Sequence, residues 1–433
     1  MNTMTNPKPI AKPVQHTPMV ERKPVIKIMG LGGGGSNAVN RLVELGLQDV
    51  DFIAANTDTQ ALSQSLAPKK IQLGPHLTRG LGAGGNPKMG EAAAEESHRE
   101  IAAALSGADM VFLTAGMGGG TGTGSIGVAA RIARMLGAVT VAVVTTPFSF
   151  EMGRRQINAR EGLSKLQPNT DTLITVPNDR LLQIAPRNLT LDLAFQLADD
   201  VLRQGIQGIT ELITQPGLIN VDFAHIRQVM QMGGGALMSI GIAEGENKAY
   251  NAIEQALHHP LLDSISVENA NAIIANFTGG DNLTFLEVME GLNHLQELTH
   301  NQADIIPGVI NDPRMEDRAQ VILVITGLGA TPIETALPAR KTQAQPQQQP
   351  EPEMVRAAKP VEEPTRISAA TAVATGPASL GQVAARSMNS GPSLNSEPSL
   401  NSGLSRNSGP SLATTGAIPA DIDLPAFTRR RNR

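Results

Sequence analysis

From Val25 onward, short apolar runs alternate with amphipathic stretches, and their spacing predicts strands and helices in turn. Val25-Ile26-Lys27-Ile28-Met29 reads as a buried strand, Ser36 to Leu45 as a helix and Asp51 to Ala55 as a second strand. Glu91 to Leu105 is Ala-rich with helical periodicity. Met110 to Thr114 reads as a strand, Ser125 to Leu136 as a helix, and Val139 to Thr145 as a β-branched strand. Arg154 to Leu166 follows as a helix and Thr172 to Val176 as a strand. Strands alternating with helices predict an α/β fold with a doubly wound parallel sheet. Leu189 to Thr214 is one long helical pattern, closed by Gln215-Pro216-Gly217.

Beyond that helix, helical patterns (Ala249 to Leu257, Phe285 to Leu298) mix with strands (Ala272 to Phe277, Val321 to Thr326), which predicts a smaller α+β domain packed on it. After Ala330 the pattern ends. Gln, Pro, Ser and Asn take over, and Asn389 to Leu412 is four hexapeptides, NSGPSL, NSEPSL, NSGLSR and NSGPSL. With Pro in three of the copies these cannot build a β-helix, and a flexible spacer is the expectation. Apolar residues return in Asp421 to Phe427, DIDLPAF, followed by Arg429, Arg430 and Arg431, which suits a tethered peptide ligand. The first 24 residues, with five prolines, read as a disordered arm.

Charge is distributed unevenly. The 433 residues carry 35 Lys+Arg and 40 Asp+Glu, but residues 25–330 alone hold 20 basic and 31 acidic side chains. An acidic body argues against nucleic acid as a partner, and 9 Phe, 1 Tyr and no Trp leave little for base stacking. The absence of Cys excludes disulfides, thiolate metal sites and Cys nucleophiles. No apolar run is long enough to span a bilayer, and the Pro-rich start lacks a signal-peptide core. A soluble, cytoplasmic protein without direct membrane insertion is expected.

The informative residues are the glycines, 43 in all. The first cluster, Gly30-Leu31-Gly32-Gly33-Gly34-Gly35, joins a predicted strand to a predicted helix. It satisfies G-x-G-x-x-G with Asp51 about 20 residues on, a weak fingerprint for a dinucleotide such as NAD. The second, Gly116-Met117-Gly118-Gly119-Gly120-Thr121-Gly122-Thr123-Gly124, holds six glycines in nine residues. So much backbone freedom is costly where only a turn is needed. Two such loops at the C-terminal ends of strands of one sheet predict a phosphate chain gripped from two sides. An NAD-dependent oxidoreductase uses one such loop, and no G-K-[ST] of a P-loop is present.

Gly118 to Gly124, GGGTGTG, resembles the signature of the tubulin/FtsZ family of GTPases. The resemblance covers roughly residues 25–330 and returns at DIDLPAF. The chain as a whole resembles the bacterial cell-division members, and the shared motifs include Asn56-Thr57-Asp58, Gly80-Leu81-Gly82-Ala83-Gly84 and Thr146-Pro147-Phe148-Ser149-Phe150-Glu151. The resemblance implies a disordered arm (1–24), a GTP-binding domain (25–188), a central helix (189–217), a C-terminal polymerisation domain (218–330), a disordered linker (331–417) and a partner-binding peptide (418–433). Gly33, Gly34, Gly35 and Asn37 would bind the nucleotide, with Ser36 standing where many relatives carry another Gly. Gly120, Thr121 and Gly122 would hold phosphates, Glu151 the ribose, and Arg155 the sugar and phosphates. Phe195 and Asp199 would meet the base. They lie i, i+4 on one helix face, and a carboxylate accepts from guanine N1–H and its 2-amino group, a donor pair adenine lacks.

In the same family Asn220, Asp222 and the residue three further on form the catalytic loop, which acts on GTP bound to the neighbouring subunit. A carboxylate there positions the attacking water or holds a cation beside it. Here the later position is His225, which cannot replace a carboxylate as a hard-cation ligand but can act as a base. Slow, assembly-dependent GTP hydrolysis is therefore expected, with a GTP-binding polymer scaffold of little turnover as the alternative. The resemblance further implies Mg2+, with K+ a further candidate. It also implies a head-to-tail homopolymer at the mid-cell division site, tethered by the C-terminal peptide to membrane-linked proteins such as FtsA or ZipA.

Overall fold

β-branched and Ala-rich runs with no charge on their inner positions form the centre of one large sheet. The strands are β1 (Ile26–Leu31), β2 (Val50–Asn56), β3 (Lys69–Gln72), β4 (Met110–Gly116), β5 (Val139–Thr146), β6 (Thr172–Pro177), β7 (Gly235–Glu244), β8 (Ala272–Gly279), β9 (Asp304–Asn311) and β10 (Arg318–Thr326). The computed structural model describes residues 22–151, 153–186, 188–215, 217–219, 221–232, 235–262 and 267–327. The predicted linker and terminal peptide, most of the predicted arm, and Asn220 lie outside the described residues.

The strand order is β3-β2-β1-β4-β5-β6-β7-β10-β8-β9. β1 to β6 pair in parallel, as their helical crossovers require. The order reverses between β1 and β4, which makes that crevice the topological switch point, where open α/β sheets bind ligands at the strands' C-terminal ends. β6 joins β7 through only two residue pairs, Leu173 with Gly235 and Ile174 with Ala236. Past that narrow seam β7, β10 and β8 are antiparallel.

The helices are α1 (Gly32–Glu44), α2 (Thr59–Ser63), α3 (Pro75–Thr78), α4 (Pro87–Glu96), α5 (His98–Leu105), α6 (Thr121–Met135), α7 (Arg154–Leu166), α8 (Asn178–Leu181), α9 (Leu191–Thr214), α10 (Phe223–Gln231), α11 (Lys248–Leu257) and α12 (Phe285–Leu298). α1, α9 and α10 bury Val39, Leu42, Leu202, Ile206 and Ile226 on one face of the sheet. α4 to α7 bury Ala93, Ile101, Ile126, Ile132 and Leu163 on the other. The expected doubly wound parallel sheet, long helix and smaller α+β region are all present. α9 lies close on the strands beneath it: a Cβ at Gly205 would meet Met238 Sδ at 2.4 Å, and one at Gly208 would meet Ile322 Cδ1 at 2.6 Å.

Three sequence expectations change. α1 and α6 begin four residues earlier than their apolar periodicity indicates, inside the glycine clusters. The predicted helix over Glu91 to Leu105 is two helices. Ser97 breaks it, because its buried hydroxyl donates to Gln72 O (3.2 Å) and accepts from the Gly74 N–H (3.0 Å). Finally, the segment expected as a catalytic loop is helical from Phe223, with Asp222 as the N-cap of α10.

Candidate functional site

The early starts of α1 and α6 decide the chemistry of the switch point. Neither helix has a side-chain N-cap or an acidic residue in its first turn. Each therefore presents unsatisfied N–H groups and the positive end of its dipole, an arrangement suited to phosphate. The two N-termini touch. A Cβ at Gly32 would meet Gly122 N at 2.8 Å, and one at Gly34 would meet Gly116 N, at the end of β4, at 3.2 Å. Gly32 has φ +69°, so a side chain there is strained as well as crowded.

Crowding divides the glycines by purpose. Cβ atoms at Gly30 and Gly35 would collide with Gly35 O (2.3 Å) and Thr114 O (2.2 Å), so these two let α1 lie against β1 and β4. Gly120 is hemmed in by Ala83, Gly85 and Asn86, and Gly124 by Pro87 O at 2.0 Å. This brings the Gly80–Gly84 segment and the start of α4 against the second loop. Gly33 and Gly119 differ: a Cβ at either meets nothing within 4 Å. They border open space, one on each loop.

Polar side chains line the same crevice. The Thr121 and Thr57 hydroxyls lie 2.6 Å apart, fixing the start of α6 to the end of β2. The Ser36 hydroxyl is buried and has no hydrogen-bond partner among the described residues. It lies in the second turn of α1, behind the glycines that open the helix. Glu151, its side chain almost fully buried, accepts from the Phe148 N–H at 2.9 Å and pairs with Arg155 Nε at 2.9 Å. The carboxylate is thus oriented from two sides, and the predicted ribose and phosphate residues form one unit.

The base-side residues also converge. The Phe195 ring stands nearly perpendicular to those of Phe148 (5.4 Å between ring centres) and Phe150 (6.5 Å), while Phe148 stacks on Phe150 at 5.1 Å. One helical turn on, Asp199 is held against α1. Burial pushes its carboxyl up to about 6; the Arg41 charge and a hydrogen bond from Asn37 act against that rise, and Asp200 adds to it. Asn37, expected in the first loop, and Asp199, expected at the base, are therefore direct neighbours. Sequence reasoning missed Arg41, although it lies one turn after Asn37 on the same face of α1.

The predicted catalytic residues are elsewhere. The Asp222 carboxylate accepts from the Ala224 N–H at 3.0 Å as the cap of α10. In α10, Arg227 reaches Gly137 O (3.5 Å), just before β5, and Met230 O accepts from the hydroxyl of Thr172, the first residue of β6. α10 therefore sits at the N-terminal edge of the parallel sheet, while the glycine loops lie at its C-terminal edge. The eight residues of β5 separate these edges by roughly 26 Å. His225 Nε2 lies 2.8 Å from Asp304 Oδ2, on a residue 79 positions away that sequence reasoning missed. Among the described residues no three His, Asp or Glu groups cluster closely enough to hold a metal ion.

Comparison with known proteins bears on family and fold. Residues 25–186 match the model of the tubulin/FtsZ family GTPase domain, and residues 234–329 that of the FtsZ family C-terminal domain. Among solved structures, the chain is similar to an empty FtsZ dimer from M. jannaschii, at 46% identity and TM-score 0.69 over 72% of this chain and 90% of that one. A tryptophan-to-tyrosine mutant of FtsZ from the same organism gives 47% identity and TM-score 0.69 over 71% and 92%. CetZ2 from Haloferax volcanii, in a GTPγS-bound protofilament, shares the fold at 19% identity and TM-score 0.60, over 71% and 94%.

Proposed function

The chain belongs to the tubulin/FtsZ family of GTPases, and from that premise we propose that it is a bacterial cell-division protein that polymerises head to tail with GTP into the division ring. In this reading, hydrolysis occurs where one subunit's α10 edge meets the nucleotide of the next. One observation carries it: the crevice and the Asp222–His225 segment lie on opposite edges of one sheet, a full strand length apart. Neither group can act on the other within a subunit, but stacking subunits along the strand direction brings them together. Leu81, 85% exposed beside the glycine loops, is a large apolar side chain that such stacking would bury.

Each residue then has a defined task. The N-termini of α1 and α6, with the backbones of Gly33, Gly34, Gly35, Ser36, Gly120, Thr121 and Gly122, bind the phosphates. Glu151 accepts from the ribose hydroxyls and Arg155 adds positive charge beside it. Asp199 accepts from guanine N1–H and the 2-amino group, and Phe195 packs on the ring. From the adjoining subunit, Asn220, Asp222 and His225 approach the γ-phosphate and position water. Mg2+, with K+ as a further candidate, offsets phosphate charge.

Among the described residues no helix is long and apolar enough to cross a membrane. In this reading the protein is cytoplasmic and is held at mid-cell through residues 418–433 by partners such as FtsA or ZipA. His225 in place of an acid favours slow turnover, and a GTP-binding scaffold with little hydrolysis is the second reading. The nicotinamide reading is not favoured, since it leaves the second glycine loop without a ligand.

The deciding experiment is sedimentation of the full chain with GTP, GDP and no nucleotide, with phosphate release measured on the same samples. Polymer pelleting only with GTP, and phosphate release rising steeply above a threshold protein concentration, is expected. Release proportional to concentration with no threshold would sink the shared-site reading.

A further inference from the structure

We propose that Asp304 is the positioning residue of His225, and that together they form the base that activates the attacking water. This role rests on the assembly-dependent hydrolysis proposed above. An ionised carboxylate can only accept hydrogen bonds, so in neutral His225 the proton resides on Nε2 and is donated to Asp304 Oδ2 at 2.8 Å. Nδ1 is then the basic nitrogen, and it has no hydrogen-bond partner among the described residues.

Strand β9 is the platform for this arrangement. The segment before α10 lies along it: Leu218 N–H donates to Val309 O at 2.8 Å, and Ile219 bridges Val309. Five residues back along the same strand, Asp304 takes the His225 side chain. Its own N–H is tied to Asn271 O at 3.0 Å, and it begins the pairing of β9 with β8. The segment is thus fixed to one rigid strand at two points, and the second point is a side-chain pair. With 42% and 44% of the two side chains exposed, the pair contributes little to stability. Its geometry has the form of a carboxylate–imidazole couple that selects a tautomer and stabilises the imidazolium formed on proton uptake.

The step balances without a further reagent. A water oxygen bonds to the γ-phosphorus as the bond from phosphorus to the bridging oxygen breaks, and GDP leaves with that electron pair. The water's proton passes to Nδ1 of His225, Asp304 offsets the new positive charge, and the proton is later returned to the departing phosphate. The second acid of the family pattern is thereby supplied at one remove, through the imidazole.

The test measures phosphate release per subunit above the assembly threshold, GTP affinity and pelleted polymer for the full chain and for Asp304→Asn, Asp304→Glu, His225→Gln and His225→Gln with Asp304→Asn. An amide at 304 can donate to Nε2 and favour the wrong tautomer. Asp304→Asn should therefore lower turnover roughly 10- to 100-fold, with GTP affinity and pelleted polymer unchanged. Asp304→Glu should restore most of the rate, and Asp304→Asn should add nothing in the His225→Gln background. In the GDP-bound protein, long-range 1H–15N spectra, assigned by loss of the signal in His225→Gln, should show the Nε2–H tautomer. An unchanged rate in Asp304→Asn, an equal loss with and without His225, an Nδ1–H tautomer, or loss of pelleting each overturns the positioning role, the last by making Asp304 an assembly contact. A parent with no assembly-dependent phosphate release overturns instead the hydrolysis reading on which this role depends.

Discussion

Asp199 carries a cost in the empty protein that guanine should relieve. Burial raises its carboxyl from an ordinary 3.8 to about 6. Because the folded value lies above the unfolded one, the folded chain takes up a proton between these pH values, and stability falls as pH rises from 3.8 through about 6. At neutral pH the full loss has an upper bound of about 3 kcal/mol. Guanine offers two N–H donors to the ionised carboxylate, so binding draws the group back toward ionisation. If only the ionised form binds, affinity should fall about twofold at pH 6 and about tenfold at pH 5 relative to pH 7. Asp199→Asn should therefore stabilise the nucleotide-free protein by about 1–3 kcal/mol while weakening GDP binding by about 1.5–3 kcal/mol, roughly ten- to over a hundredfold.

Two measurements check this: thermal unfolding of the nucleotide-free full chain from pH 4 to 7.5, and calorimetric titration with GDP over the same range. The phosphate of GDP titrates here too, so the difference between parent and variant isolates the carboxylate. Asn offers one acceptor and one donor, which matches xanthine N1–H and its C2 carbonyl, so the variant should recover affinity for xanthosine diphosphate. A variant no more stable than the parent, with unchanged GDP affinity, would refute both the buried-charge and the base-reading assignments.

The remaining expectations follow from the same geometry. Gly33→Val faces open space and should leave the apparent melting temperature unchanged while reducing GTP affinity at least tenfold. Gly35→Ala, whose methyl would stand 2.2 Å from Thr114 O, should instead cost about 1–3 kcal/mol in thermal unfolding. His225→Asp, which removes the proposed base and sets a carboxylate against Asp304, should lower assembly-dependent phosphate release, and Asp222→Ala should lower it too while retaining GTP binding. Asp222→Ala also removes the cap of α10, at about 1 kcal/mol in chemical denaturation. Deleting residues 418–433 should abolish pull-down of membrane-linked division proteins but leave GTP-driven pelleting intact.

What could be read from the sequence was what repeats or alternates locally. β-branched runs gave β1, β4, β5 and β6 within a residue or two, and α7 and α12 fell where the periodicity placed them. Glycine-rich helix starts were hidden, because α1 and α6 open on residues with no apolar period to detect, and there the unsatisfied N–H groups carry the chemistry. β3, with two lysines in four residues, and β9, interrupted by Pro307 and Gly308, carry too little alternation to be seen. α10 is short, and its first turn carries the polar residues of the family's catalytic segment in place of a clear apolar period. The contacts that matter most have no local signature. Asn37 and Asp199 meet only because α1 and α9 lie on one face of the sheet, and Asp304 meets His225 only because the chain leaving α9 is pinned along β9. A substitution that looks isolated in the sequence, His225 where the family pattern has an acid, thus gains its partner from a strand the sequence did not disclose. On the proposal above, the imidazole stands in for the lost acid through that contact, not through residue 225 alone.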